Sequence, residues 1–131
     1  MSEPRPKVFE YEIELATDGQ VSIPDGTTLA LPGDWTADHL LLVALVRCSI
    51  DSLRYHARRA GLTVAASGAA SGRVTKRDED GRYGFVGIEV GIEVRFEPAT
   101  AEPQTLFAKA ERDCFVGASL RVKPQYEWRL P

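Results

Sequence analysis

Residues 39–62 read HLLLVALVRCSIDSLRYHARRAGL, and this stretch decides the fold. It opens with seven consecutive apolar residues, 40–46, meets Arg47 and Cys48, and then turns polar and basic. A long helix fits all of it. Thr36 can cap the start with its hydroxyl, and Asp38 in the first turn suits the positive end of the helix dipole. Arg58 and Arg59 suit the negative end, and Gly61 reads as the stop after about Ala60. The first half of such a helix is apolar all round and must be covered on every side. One sheet covers one side only. A second copy of the chain is the expected cover for the other, giving an intertwined homodimer.

Outward from the helix, strand patterns lie on both sides. Residues 8–15, VFEYEIEL, alternate Phe9, Tyr11, Ile13 and Leu15 against Glu10, Glu12 and Glu14, as a half-buried strand does. Asp18-Gly19 and Asp25-Gly26 are turn signals around two further short strands. After the helix, residues 62–76 and 82–97 form the arms of a hairpin around the charged turn RDEDGR. In the second arm Val86, Ile88, Val90, Ile92, Val94 and Phe96 are expected to face one way. A second helix starts near Pro103 and carries Leu106, Ala110 and Cys114 on one stripe, with Gly117 as its stop. The last strand pattern, SLRVKPQYEWRL, contains Pro124 and reads as an edge or a bulge. The predicted order is β-β-β-α-β-β-α-β. The class is α+β with antiparallel sheets around a long central helix, in a single domain over residues 1–131.

Composition narrows the function classes. The net charge of −3 argues against a nucleic-acid or acidic-membrane surface. The N-terminus, MSEPRPKVFEYE, has no apolar segment of signal-peptide type, and no apolar run is long enough to span a bilayer. A cytoplasmic location is the default expectation. Phosphate-binding glycine loops, G-x-S-x-G and H-E-x-x-H are absent, so no cofactor or metal is expected. His39 and His56 flank the long helix and read as surface side chains, without a cysteine or aspartate partner at useful spacing.

Cys48 and Cys114 are the only cysteines. Neither has a second Cys or His at metal-ligand spacing. A free cysteine commonly serves as a small buried hydrophobe. A reactive one needs its thiolate stabilised, for which a nearby guanidinium would suffice. Arg47 adjoins Cys48 and must turn either to solvent or to an acid, and Asp51 at i+4 is the local acid.

The segment TADHLLLVALVRCSIDSLRYHARRAGL resembles the central helix of the OsmC/Ohr superfamily, the osmotically inducible protein C and organic hydroperoxide resistance proteins. That family shows an acid ten residues before its first cysteine. Asp38 holds that place relative to Cys48. The stretch AERDCFVGASLRVKPQYEW resembles the second cysteine motif. The resemblance implies a homodimer with thiol peroxidase chemistry. In it Cys48 is the peroxidatic thiolate that becomes a sulfenic acid on an organic hydroperoxide. Cys114 condenses with it to a disulfide, and an external dithiol of lipoyl or thiol type reduces that bond. Asp38 would act across the dimer interface, since ten helical residues span about 15 Å.

Three departures stand beside the match. Thr17 occupies the place of the family's activating arginine, the acid is Asp38 rather than Glu, and Phe115 follows the second cysteine where many members have Pro. Arg47, or a basic residue among Arg54, Arg58 and Arg59 of a partner chain, is the candidate substitute for the arginine. The alternative reading keeps the fold with weak or no turnover, as a binding protein for a small apolar ligand or a redox sensor.

Overall fold

The structure, a computed structural model, describes residues 5–131. Two compact units make up the chain, one ending at Thr36 and one running from Ala37 to Pro131.

The first unit is an antiparallel meander of β1 (Glu14–Leu15), β2 (Gln20–Ser22) and β3 (Thr28–Ala30). Both turn signals hold. The Asp18 carboxylate accepts from Gln20 N–H at 3.0 Å, and Asp25 accepts from Thr27 N–H at 2.8 Å. These are Asx turns, in which the short acidic side chain replaces a backbone acceptor. The strand expected over residues 8–15 is paired only at Glu14 and Leu15, because β2 is three residues long and offers nothing opposite residues 8–13. Phe9, Tyr11, Ile13 and Leu15 are exposed.

The second unit is built on α1 (Ala37–Arg59), 23 residues long. Its end is a Schellman motif: Leu62 N–H donates to Ala57 O at 2.8 Å and Gly61 N–H to Arg58 O at 3.0 Å. Gly61 takes φ +79°, the left-handed turn that costs other residues free energy. Leu62 is buried beneath it.

A long hairpin follows, β4 (Thr63–Lys76) and β5 (Tyr83–Glu97), paired antiparallel. Ile88, Val90, Ile92, Val94 and Phe96 are buried on one face, as their alternation predicts. Val86 departs from it. The register passes from Arg73↔Gly87 to Val74↔Phe85, so Val86 is the extra residue of a bulge and is 41% exposed. Phe85 packs against the core in its stead. Small residues on β4 let α1 sit close. A Cβ on Gly68 would meet Val46 Cγ1 at 2.9 Å, and one on Gly72 would meet Leu42 Cδ2 at 3.4 Å.

The second helix differs from its expected form. It ends as α2 (Pro103–Arg112), and a separate short helix, α3 (Phe115–Ser119), follows. Cys114 sits between them in extended conformation as the N-cap of α3, its sulfur accepting from Gly117 N–H at 3.4 Å. The i, i+4 stripe runs unbroken to Cys114 because a cap residue can still point to the side its helix faces. The last strand, β6 (Gln125–Arg129), begins immediately after Pro124 and lies at the sheet edge. It pairs with β5 in parallel, so this sheet is mixed rather than wholly antiparallel. The reason is the connection: helices α2 and α3 carry the chain back along the sheet, so β6 runs in the direction of β5. Tyr126 and Trp128 turn inward, and Trp128 stacks on Phe107 with ring centroids 4.7 Å apart. Among the described residues no helix is long and apolar enough to cross a membrane.

Candidate functional site

The core-facing stripe of α1 is not uniformly apolar. Leu45 and Leu53 alternate on it with Ser49, Ser52 and His56, which recur at i, i+3 and i+7. Each polar member finds a partner on the segment that carries Cys114. Ser52 Oγ donates to Ala110 O at 2.9 Å, satisfying a carbonyl that the end of α2 leaves free. His56 Nε2 stands 2.7 Å from Asp113 Oδ2. Arg112 beside Asp113, and His56 behind it, hold that carboxyl below the ordinary carboxylate range, so it is ionised and can only accept. Nε2 therefore carries the proton. Ser49, with no exposure, lies 3.5 Å from Cys114 Sγ and 2.9 Å from the Tyr126 hydroxyl.

This seam brings the two cysteines together. Cys48 is half-buried and Cys114 fully buried, both as free thiols. Cys114 and the backbone N–H groups of Val116 and Phe115 act on the Cys48 thiol. Burial is the largest influence on Cys48 and pushes its pKa up. The two N–H groups favour the thiolate, the neighbouring Cys114 opposes it, and the net shift is upward. No cation is among the main influences on this thiol. Tyr126 is pushed up to about 12, chiefly by burial, so its hydroxyl keeps its proton at physiological pH and can donate.

Arg47 and Asp38, also singled out in the sequence, are exposed positions of α1 outside this seam. Arg47 reaches Asp51, Nε to Oδ2 3.1 Å, with the arginine side chain 76% exposed. That is the i, i+4 pair expected of it, and it turns the guanidinium to solvent. Asp38 is exposed in the first turn of α1, about ten residues and 15 Å along the helix from Cys48. Thr17 belongs to the turn between β1 and β2 of the first unit. His56 corrects the sequence reading: it is no surface side chain, with 11% of its side chain exposed and Asp113 as its partner. Ser49, Tyr126 and Asp113 went unmarked. The legible signal was polar residues at helical spacing inside a stripe that otherwise packs as core.

The OsmC-like protein family matches residues 32–129, which include both cysteines. Among curated proteins no relative matches. Three solved structures show the same fold at low identity. An OsmC-like protein from Mycoplasma pneumoniae is 18% identical, with 93% of this chain and 97% of that one covered, at a TM-score of 0.72. An OsmC-like protein of Vibrio cholerae is 13% identical over 83% and 82% of the two chains, with a TM-score of 0.70. The organic hydroperoxide resistance protein OhrB of Bacillus subtilis is 14% identical over 93% and 96%, with a TM-score of 0.61. With the match spanning α1, the hairpin and the second cysteine segment, the chain belongs to the OsmC-like protein family.

Proposed function

We propose that this protein is a thiol-dependent peroxidase of organic hydroperoxides. The observation that carries the reading is the pairing of Cys48 with Cys114, one half-exposed and one buried, across 66 residues of sequence. The Cys48 thiolate attacks the outer peroxide oxygen. The O–O bond breaks, the alkoxide takes a proton and leaves as an alcohol, and Cys48 becomes a sulfenic acid. Cys114 then attacks that sulfur. The S–S bond forms, the S–O bond breaks, and the leaving hydroxide departs as water with the Cys114 proton. A dithiol of lipoyl or thiol type restores both thiols by exchange.

The active form in this reading is a homodimer. Val43 is 49% exposed in the middle of the apolar run of α1, and Ala44 beside it is exposed. A partner chain would cover them and bring its own Asp38 and Arg47 toward this Cys48, supplying an acid and a cation beside the thiol.

The test is a stoichiometric organic hydroperoxide followed by intact-mass analysis. The expected product is a Cys48–Cys114 disulfide, and Cys114→Ser is expected to stop at the sulfenic acid or to over-oxidise. Two unchanged thiols would overturn the reading. A second reading, a redox sensor or apolar-ligand binder of the same fold with little turnover, is favoured by the upward shift of the Cys48 pKa. Excess hydroperoxide with a dithiol separates the two: one disulfide per chain and no further consumption is the outcome for the sensor.

A further inference from the structure

We infer that Ser49 and Tyr126 control the condensation step: Ser49 as the hydrogen-bond partner of the Cys114 sulfur, and Tyr126 as the positioning residue behind it. The inference rests on the peroxidase reading for its place in a catalytic cycle, but the hydrogen bonds it invokes stand without that reading. Ser49 Oγ has three neighbours: Leu45 O at 2.8 Å, Tyr126 Oη at 2.9 Å and Cys114 Sγ at 3.5 Å. It has one proton and two lone pairs to share among them. A carbonyl only accepts, so the resting serine gives its proton to Leu45 O. Its lone pairs then receive the Tyr126 hydroxyl proton and the Cys114 S–H. This use of every site agrees with the lack of any unpaired buried side-chain nitrogen or oxygen among the described residues.

The consequence is directional. With its S–H held toward Ser49 and Gly117 N–H donating to the same sulfur, Cys114 keeps lone-pair density for the Cys48 side. When the Cys114 S–H turns from Ser49 toward Cys48 and its proton leaves with the departing hydroxide as water, the Ser49 hydroxyl hydrogen can rotate from Leu45 O to the sulfur. Leu45 O keeps the backbone N–H of α1 and is not left bare. Tyr126, on which Cys114 also acts directly, can go on donating to Ser49, so Ser49 can serve as acceptor for the thiol and donor for the thiolate without moving a heavy atom. Tyr126 also stacks with Trp128, ring centroids 5.6 Å apart, which fixes where its hydroxyl sits.

Two measurements test this. The first uses Cys48→Ser, in which Cys114 is the only remaining thiol. Its S–H stretching band, read by infrared spectroscopy, is expected to move to higher frequency in Ser49→Ala, to move less in Tyr126→Phe, and to stay in Ser49→Thr, which keeps the hydroxyl. The second is the rate of disulfide formation in the two-cysteine protein. It is measured with an organic hydroperoxide and separately with diamide. Diamide adds the Cys48 S–H across its N=N bond, and Cys114 then displaces the hydrazine. In Ser49→Ala the condensation is expected to slow about tenfold relative to oxidation or capping of Cys48, the effect of losing one hydrogen bond to a sulfur that gains charge. Recovery in Ser49→Thr supports the role of the hydroxyl. A band and a condensation rate unchanged in Ser49→Ala overturn the inference, as does a slower rate with an unmoved band. If hydroperoxide leaves both thiols intact while diamide shows the Ser49 dependence, the peroxidase reading falls and this inference stands.

Discussion

Gly68→Ala tests how closely α1 must lie on the sheet to hold Cys48 where it is. A Cβ at this position would stand 2.9 Å from Val46 Cγ1, 3.1 Å from Gly91 O and 3.3 Å from Ile92 Cγ1. Two of these are β-branched side chains with little freedom at χ1, and the third is backbone of the neighbouring strand. None can swing away as the end of a lysine would. Overpacking of this kind costs about 1–3 kcal/mol. Against it, replacing glycine gains about 0.5–1 kcal/mol by restricting the unfolded chain. The balance is a loss of about 1 kcal/mol, or roughly 3–5 °C in Tm for a chain of this size.

Gly87→Ala is the internal control, since it lies on β5 in the same sheet and a Cβ there meets nothing within 4 Å. It is expected to leave Tm unchanged or to raise it slightly, by the same unfolded-state effect. Val46 lies two residues before Cys48 on α1. Lifting the helix at Val46 therefore also displaces Cys48 from Cys114, and disulfide formation in Gly68→Ala is expected to slow along with the loss of stability. The assay is thermal unfolding by circular dichroism of the reduced protein, with disulfide yield by intact mass. A Gly68→Ala protein as stable as Gly87→Ala would refute the close packing of α1 on β4.

Further outcomes are expected. Arg77, the backbone N–H of Arg82 and Arg121 draw the Asp80 pKa down, joining the hairpin tip to the segment before β6. A depressed folded-state pKa gives stability that is full above the unfolded carboxylate value of about 3.9 and is lost as pH falls through the lower folded value. Urea titrations should thus show wild type more stable than Asp80→Asn at pH 7, with the gap closing below about pH 4. Arg47→Ala removes an exposed ion pair and should change stability by less than about 0.5 kcal/mol. A Cys48 alkylation profile shifted to higher pH in Arg47→Ala would therefore report a role toward the thiol, within the chain or across a dimer, rather than a loss of stability. Trp128→Phe keeps the stack on Phe107 but removes the 2.8 Å bond from Nε1 to Glu111, and should cost about 1–2 kcal/mol in denaturant titration. Light scattering is expected to show a homodimer that Val43→Glu converts to a monomer, and a monomeric wild type would remove the cross-subunit roles proposed for Asp38 and Arg47.

What could be read in the sequence and what could not divides along the range of the interactions. The helix of residues 37–59 was legible because its apolar run, first-turn acid and Gly61 stop are all local. The buried face of β5 was legible because alternation is local too, and it failed only at Val86, where a bulge shifts the period by one. The direction of β6 was not written in its own residues, since a strand pattern is the same read in parallel or antiparallel pairing. It follows from the helical return through α2 and α3. The break before Cys114 was hidden for a related reason: Leu106, Ala110 and Cys114 keep a four-residue spacing whether the last is helical or a cap.

The polar seam was hidden by distance. Ser49 meets Tyr126 across 77 residues, and His56 meets Asp113 across 57. No short motif joins such pairs. Yet the cost of burying an unpaired hydroxyl or imidazole on a core-facing stripe means that each must have a partner on whatever packs there. The element packed there is the one that carries Cys114. Ser49, Ser52 and His56 on the helix of Cys48 thus already imply that a polar segment docks against that face, even though its identity emerges only from the fold. The same reasoning explains why Cys114 docks beside the helix of Cys48: Ser49 and Ser52 bind the end of α2 and the cap of α3 from one side, and His56 fixes Asp113 one residue before Cys114. The second cysteine is held on the helix of the first by polar groups that a purely apolar helix face would have lacked.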